Sequence, residues 1–313
     1  ESVVQELEER AQKEQGHASF EPLNFFEKVD FPTLRGMFED ISERSGGDPK
    51  ALNFIEPDRI TYTFPNVHHG VRAAYRPEEN LIMMRYHMLR EFAQEKLQIP
   101  VDLLALSVLC HEEVHATSRV ECRGLEIIAG RPRYDYIRVG YFLDSPQEQE
   151  KDEGVDKGRM VFLRLFEEGV TDKLGQEIFR EYVRRTEFAD KKTMAEFDRA
   201  AAEHGKEFLY VTPMKFVDAL IAKISRETGI SRRVVWQAIV RGKYEGEDLA
   251  NPELREAFAE IVSPYFLDRL SRANSDEELQ KLMVELEKQR PPVGIKGRIL
   301  SIFKRMNMRE KDA

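Results

Sequence analysis

Two histidines four residues apart, with a glutamate directly after the first, are the clearest chemical signal in this chain. The segment His111-Glu112-Glu113-Val114-His115 lies in an apolar run that predicts a helix over residues 101–118. On a helix, residues i and i+4 share a face, so the two imidazoles can reach one metal ion. Glu112 lies at the flank of that face, where its carboxylate can act as a general base without binding the metal. The spacing predicts a metal centre with a base beside it.

A catalytic zinc ion needs a third protein ligand and one open position. Glu168 is the best candidate, because it lies on the next long helical pattern, predicted over residues 158–185. Glu168 and Asp172 are four residues apart and share a helical face. Glu167 and Asp172 remain alternative ligands at this point.

These segments resemble the gluzincin metallopeptidases, the thermolysin-like clan. The residues that carry the resemblance are His111-Glu112-Glu113-Val114-His115 and, on the following long helix, Glu168-Gly169-Val170-Thr171-Asp172. Residues 73–84 are also similar to the family's hairpin and substrate-binding edge strand, and the likeness extends roughly over residues 55–186. The resemblance implies that His111, His115 and Glu168 bind zinc and that Glu112 activates a water molecule.

The resemblance also implies supporting roles for other residues. Asp172 would orient a ligand histidine through its second ring nitrogen. A donor beyond the glutamate helix would stabilise the developing oxyanion, and Tyr210 is our choice over Tyr182 and His204. A peptide or protein substrate would bind extended along an edge strand, which we expect at residues 81–84. The chain departs from the family pattern at Glu167, where an asparagine often stands, and at acidic Glu113.

The patterns on either side of these residues predict an α+β fold. Residues 53–85 alternate in the manner of three short strands, and residues beyond 187 read as successive helices. We expect a small, mostly antiparallel sheet packed on the HExxH helix and the glutamate helix, followed by a helical C-terminal domain. The predicted divisions are an N-terminal helical extension at 1–50, a catalytic core at 51–186 and a helical domain at 187–313.

Composition narrows the class of protein. Lysine and arginine total 48 against 57 acidic residues, and the net charge of −9 argues against nucleic acid as a partner of the whole surface. Two cysteines, Cys110 and Cys122, cannot form a disulfide framework, and their spacing is not that of a structural metal site. We interpret both as free thiols in a reducing, cytoplasmic compartment. No apolar run is long enough to predict a transmembrane segment.

Two features support other functions. Residues 224–239 resemble a helix-turn-helix, with Gly229 at the turn and Arg232 and Arg233 opening the second helix. This favours, as one alternative, a zinc-containing transcriptional regulator; another is a non-catalytic scaffold that zinc stabilises. Residues 295–306 form a basic amphipathic pattern suited to partner or surface docking, although packing on the protein's own core is the simpler expectation.

Taken together, the sequence predicts a zinc-dependent metallopeptidase. This hydrolase would cleave peptide bonds with a metal-activated water and Glu112 as the general base.

Overall fold

The computed structural model describes residues 21–45, 47–61, 72–123, 126–128, 131–133, 136–146, 159–207, 209–245 and 262–289. The basic amphipathic pattern at 295–306 lies outside these residues, as does the first part of the predicted N-terminal extension. Within them the protein is α+β, as the sequence predicts.

Ten α-helices lie in the described residues. They are α1 (Glu21–Lys28), α2 (Phe31–Arg44), α3 (Tyr86–Glu91), α4 (Val101–Thr117), α5 (Arg164–Thr186), α6 (Lys191–His204), α7 (Val211–Thr228), α8 (Arg232–Glu245), α9 (Pro264–Arg272) and α10 (Asp276–Lys288). The HExxH segment lies on α4 and the predicted glutamate ligand on α5. Helix α3 continues as a π-helical turn over Phe92–Leu97.

Nine short strands form three small sheets within the same residues. The strands are β1 (Ile60–Thr61), β2 (Ala73–Arg76), β3 (Leu81–Met84), β4 (Val120–Arg123), β5 (Glu126–Ile128), β6 (Arg131–Arg133), β7 (Tyr136–Val139), β8 (Phe142–Pro146) and β9 (Arg159–Phe162). The strand orders are β1-β3-β2, β4-β7-β8-β9 and β5-β6. Every pairing is antiparallel except that of β1 with β3.

The strand predicted to be the substrate-binding edge lies inside its sheet. We expected Leu81–Met84 to be the edge, but this strand, β3, is central: Ile82 pairs with Ile60 on one side and with Tyr75 on the other. The prediction was wrong because the pairing of β1 with β3 is a long-range contact that local alternation does not reveal. In the described part of the sheet, β2 is paired on one side only, so β2 takes the role of candidate edge.

Helix α4 is nearly surrounded by protein. Pro100 precedes its first turn, where the missing N–H costs no helical hydrogen bond, and α4 packs against β2. After the first turn its only partly exposed residues are Val108, His111 and His115. Their spacing of three and four places them on one stripe. The two histidines therefore lie on the one face of α4 that a ligand can reach.

Helix α5 starts later than the sequence pattern predicts. The expected helix included residues 158–163, but Arg159–Phe162 forms strand β9, and Leu163 then adopts a left-handed conformation with φ of 55°. The apolar stripe of Phe166, Val170, Leu174 and Ile178 is buried, as its spacing of four predicts. Phe162 fits the spacing of that stripe but belongs to the strand, which explains the error in the predicted start.

The chain groups into two compact units, each assembled from separate segments. Of the described residues, the first unit contains those up to Glu39, those within Asn53–Thr117 and those within Leu174–Leu209. The second contains those within Asp40–Leu52 and Ser118–Lys173 and those from Tyr210 onward. The second has its own apolar core, in which α5, α7, α9 and α10 contribute residues such as Phe166, Phe216, Phe266 and Leu282. Helices α2 and α5 are continuous through the division. The three-part division predicted from the sequence stays a prediction.

None of the helices in the described part of the chain has the length and hydropathy needed to cross a bilayer.

Candidate metal centre

The two histidines of α4 present their ring nitrogens to the same point. The Nε2 atoms of His111 and His115 are 3.2 Å apart, and the rings are steeply inclined, at 75°. Two nitrogens bound to one tetrahedral zinc ion at about 2.0–2.1 Å lie about 3.3–3.4 Å from each other. The observed separation therefore matches joint coordination. It is also compatible with one neutral imidazole donating to the other, at the long end of the hydrogen-bond range.

Helix α5 approaches helix α4 closely at a glycine. A Cβ on Gly175 would lie 3.2 Å from the Cα of His111. The absence of a side chain at Gly175 therefore permits a close approach of the two helices at His111. Glu168 is seven residues before Gly175, which is about two turns along the same face of a continuous helix. This spacing directs Glu168 toward the HExxH helix.

The predicted ligand set is brought together. One ring nitrogen each of His111 and His115 and one carboxylate oxygen of Glu168 lie within 4.8 Å of one another, and all three side chains are partly exposed. Two imidazoles and one carboxylate are a donor set typical of catalytic zinc, so the residues fit this ion.

Glu112 is held beside the histidines by a main-chain donor. This residue is 7% exposed, and its Oε2 accepts a hydrogen bond of 2.7 Å from the N–H of Tyr75 on β2. The N–H of Tyr75 thus points away from β3, and in an antiparallel pair the N–H of Ala73 points the same way. The predicted base therefore lies along the outer edge of β2.

Glu113 has a structural environment in spite of its place in the motif. It is completely buried, and its Oε2 accepts a hydrogen bond from the N–H of Ile55. Burial raises the pKa of Glu113 well above its ordinary value, and repulsion from Glu56 and Glu112 acts in the same direction. The side chain joins α4 to the segment before β1 and lies away from the accessible stripe.

Asp172 and Tyr210 are brought together, although through the main chain of Tyr210. The N–H of Tyr210 donates to Oδ2 of Asp172 at 2.5 Å, and Tyr210 stands directly before α7 with 38% of its surface exposed. The predicted roles of Asp172 toward a histidine and of the Tyr210 hydroxyl toward an oxyanion stay predictions. Of the other two donors weighed, Tyr182 is buried and its hydroxyl accepts the N–H of Asp30, while His204 contacts Glu207.

Glu167 has both carboxylate oxygens engaged away from the histidines. Its Oε1 accepts from the ammonium of Lys243 and from the Thr171 hydroxyl at 3.2 Å, and its Oε2 accepts from the N–H of Tyr141 at 3.0 Å. These bonds argue against Glu167 as a metal ligand. Lys243 is 76 positions away in the chain, and no local pattern in the sequence connects it with the site.

Comparison of the chain with protein-family models, curated proteins and solved structures gives no match. Support for a function therefore comes from the geometry of the centre and from the resemblance carried by its motifs.

Proposed function

We propose that this protein is a zinc-dependent metallopeptidase. The observation that carries the proposal is the pair of Nε2 atoms of His111 and His115, 3.2 Å apart, with a Glu168 oxygen in the same cluster. Glu112 is adjacent to this pair on the same helix but has its carboxylate held by β2. A base that lies beside a metal without binding it is what hydrolysis by an activated water requires.

The roles of the residues follow from their positions. His111, His115 and Glu168 would hold zinc, which when bound supplies a polarised carbonyl and a water of lowered pKa. Glu112 would take the proton of that water and later deliver it to the leaving amine. In the free protein the Tyr75 N–H keeps one oxygen of Glu112 in place beside the cluster.

The edge of β2 suggests how a peptide would reach Glu112. A strand added to β2 would pair with the outward groups of Ala73 and Tyr75, and the second of these lies next to the base. The peptide carbonyl that pairs with Tyr75 would compete with Glu112 for its N–H. Binding of an extended substrate would therefore free the carboxylate of Glu112 from this N–H, next to the bound peptide.

The test compares two neighbouring glutamates. We expect wild type, Glu112→Gln and Glu113→Gln to bind one zinc ion per chain each, as measured by elemental analysis of the purified proteins. In digestion of a peptide library, Glu112→Gln should be slower than wild type by roughly 10²–10⁴-fold, the usual contribution of a general base. Glu113→Gln retains the acceptor for the Ile55 N–H and should cleave at nearly the wild-type rate.

Three outcomes would contradict the proposal. Equal digestion by wild type and Glu112→Gln would discard the assigned base, and a purified protein that takes up no zinc would discard the centre. Zinc binding with no hydrolysis of any peptide by the wild type would favour the non-catalytic scaffold.

The DNA-binding alternative has weaker support. Helices α7 and α8 do flank Gly229, whose φ of 76° suits a tight turn. However, Lys223 and Lys243, which lie on either side of residues 224–239, are buried, and Arg226 pairs with Glu287. These three cations therefore have partners within the protein. A mobility shift with duplex DNA at physiological salt would support this alternative.

A further inference from the structure

A buried ionic cluster supports the first turns of α5 and has no part in the proposed chemistry. Lys243 on α8 is completely buried, and Glu167 is 1% exposed. The ammonium of Lys243 donates to Oε1 of Glu167 and, at 2.8 Å, to the hydroxyl of Thr171. A buried ion pair is maintained only where further hydrogen bonds satisfy the remaining polar atoms.

Those further bonds are present around Glu167. Its second oxygen accepts the Tyr141 N–H, and the Thr171 hydroxyl contacts the first oxygen. The turn between β7 and β8 approaches so closely that a Cβ on Gly140 would lie 2.8 Å from Glu167 Oε2, and Gly140 has φ of 56°. The sequence has glycine at the position where both the contact and the backbone conformation require it.

Lys243 itself is fixed by neighbours of the same cluster. Its carbonyl accepts the N–H of Arg119, and the hydroxyl of Tyr141 donates to the carbonyl of Ile239 on α8 at 2.7 Å. Burial lowers the pKa of Lys243, while the charge of Glu167 opposes that shift. Helix α8, the β7–β8 turn and helix α5 are thus joined at a single point.

The consequence for the metal centre follows from helix geometry. Glu167 and Thr171 share one face of α5, and Glu168 and Asp172 share the next face, about 100° around the axis. When the first face is fixed, the helix cannot rotate about its axis. The direction of the Cα–Cβ bond of Glu168 is then fixed as well, and metal sites require such directions to within about 0.5 Å.

We propose that Lys243 is a positioning residue for the metal centre, acting through Glu167 and Thr171 on the turn of α5 that carries Glu168. This inference depends on the metal centre of the proposed function but not on peptidase activity.

The test uses a double variant that removes both charges at once. Lys243→Met with Glu167→Gln keeps the approximate volume of the cluster and leaves no uncompensated buried charge. We expect the double variant to fold and to bind zinc about 10–100-fold more weakly than wild type, the usual effect of losing an outer partner of a ligand. Zinc affinity is measured by competition with a chromophoric chelator, and the stability of the metal-free chain by urea unfolding.

A second buried lysine provides the matched control. Lys223 on α7 is 2% exposed, donates to the carbonyl of Gln289 and pairs with Glu227 at 3.2 Å. Lys223→Met should lose stability but retain the wild-type affinity for zinc. Thr171→Val removes one hydroxyl of the cluster and should weaken zinc binding in the same direction by a smaller factor, which keeps the test decisive if the double variant does not fold.

The outcomes separate this inference from the proposed function. Wild-type zinc affinity in the double variant, or in Thr171→Val if the double variant does not fold, would overturn the positioning role while leaving the metal centre intact. A loss of affinity in Lys223→Met equal to that in the double variant would also overturn it, because the effect would then be one of general stability. Failure of the wild type to bind zinc would overturn the proposed function and this inference together.

Discussion

Adjacent glutamates in the candidate centre have different surroundings. Glu112 faces the edge of β2 beside the two histidines, whereas Glu113 is buried against Ile55. On α5, Glu167 belongs to a buried cluster with Lys243, whereas its neighbour Glu168 lies with the histidines. In each pair, one carboxylate lies at or beside the predicted metal centre. The other makes buried contacts that fix the helix on which both residues lie.

Replacement of Glu168 should affect zinc binding far more than the stability of the metal-free chain. We expect Glu168→Ala to be at least as stable as wild type without metal, because alanine is the best helix former. Zinc at about 100 times its Kd stabilises a folded protein by about 2.7 kcal/mol, and the variant should lose most of that gain at the same zinc concentration. Thermal unfolding with and without zinc measures both effects.

Glu177→Ala is the control for this prediction, since Glu177 is an exposed residue further along the same helix. It should keep the full zinc-induced rise in Tm. An equal rise in Tm for Glu168→Ala would show that residue 168 is not a ligand.

The members of the His111, His115 and Glu168 cluster could be predicted from the sequence because helical spacing is local. His111 and His115 follow from an i, i+4 pair in an apolar run, and Glu168 follows from a second helix with a resembling motif. The N–H of Tyr75 and the ammonium of Lys243 could not be predicted, since each meets its glutamate through a long-range contact that has no period.

Among the elements, α5 approaches α4 closely at Gly175 and α7 closely at Gly169. Gly169 directly follows the predicted ligand, and a Cβ there would lie 2.6 Å from the carbonyl oxygen of Pro213 on α7. That neighbour is backbone and cannot move aside as a flexible side chain would. The local sequence therefore determines how near α7 comes to the turn that carries Glu168.

Alanine at two helical glycines should change stability in opposite directions. We expect Gly169→Ala to lower the free energy of unfolding by about 1–3 kcal/mol through overpacking. Gly36→Ala on α2, where nothing lies within 4 Å of the added Cβ, should raise it by about 0.5–1 kcal/mol through helix propensity. Urea unfolding of both variants tests the pair, and a stabilised Gly169→Ala would show that α5 and α7 are less closely packed.

Element positions followed the sequence where periodicity is local and failed where pairing is distant. Helix α4 ends at Thr117, within one residue of its predicted end. Helix α5 begins at Arg164 because Arg159–Phe162 pairs with β8 as a strand. The central position of β3 likewise depends on its pairing with Ile60–Thr61, which alternation within residues 81–84 does not indicate.

For the whole molecule, the two compact units are interleaved in the chain. Segments of the two units alternate along the sequence. Helices α2 and α5 contribute residues to both units. A helix that is shared cannot remain fully formed when one unit unfolds. Cooperative unfolding is the expected result.

The two units carry separate probes for this prediction. Trp236 is the sole tryptophan and belongs to the second unit, whereas Cys110 is buried on α4 in the first. In a Cys122→Ser background, the urea midpoint from Trp236 fluorescence should coincide with that from Cys110 thiol labelling. Separate midpoints would show that the units unfold independently.

The base of the candidate centre is oriented by an amide rather than by a side chain, and this has an evolutionary consequence. Every amino acid except proline supplies the donor that Tyr75 gives to Glu112. Drift at codon 75 would therefore leave the orientation of the carboxylate unchanged, so that selection there acts on the course of the strand and on the contacts of the ring. The orientation of Glu112 is thus encoded in the shape of the backbone at position 75 and not in the identity of the side chain there.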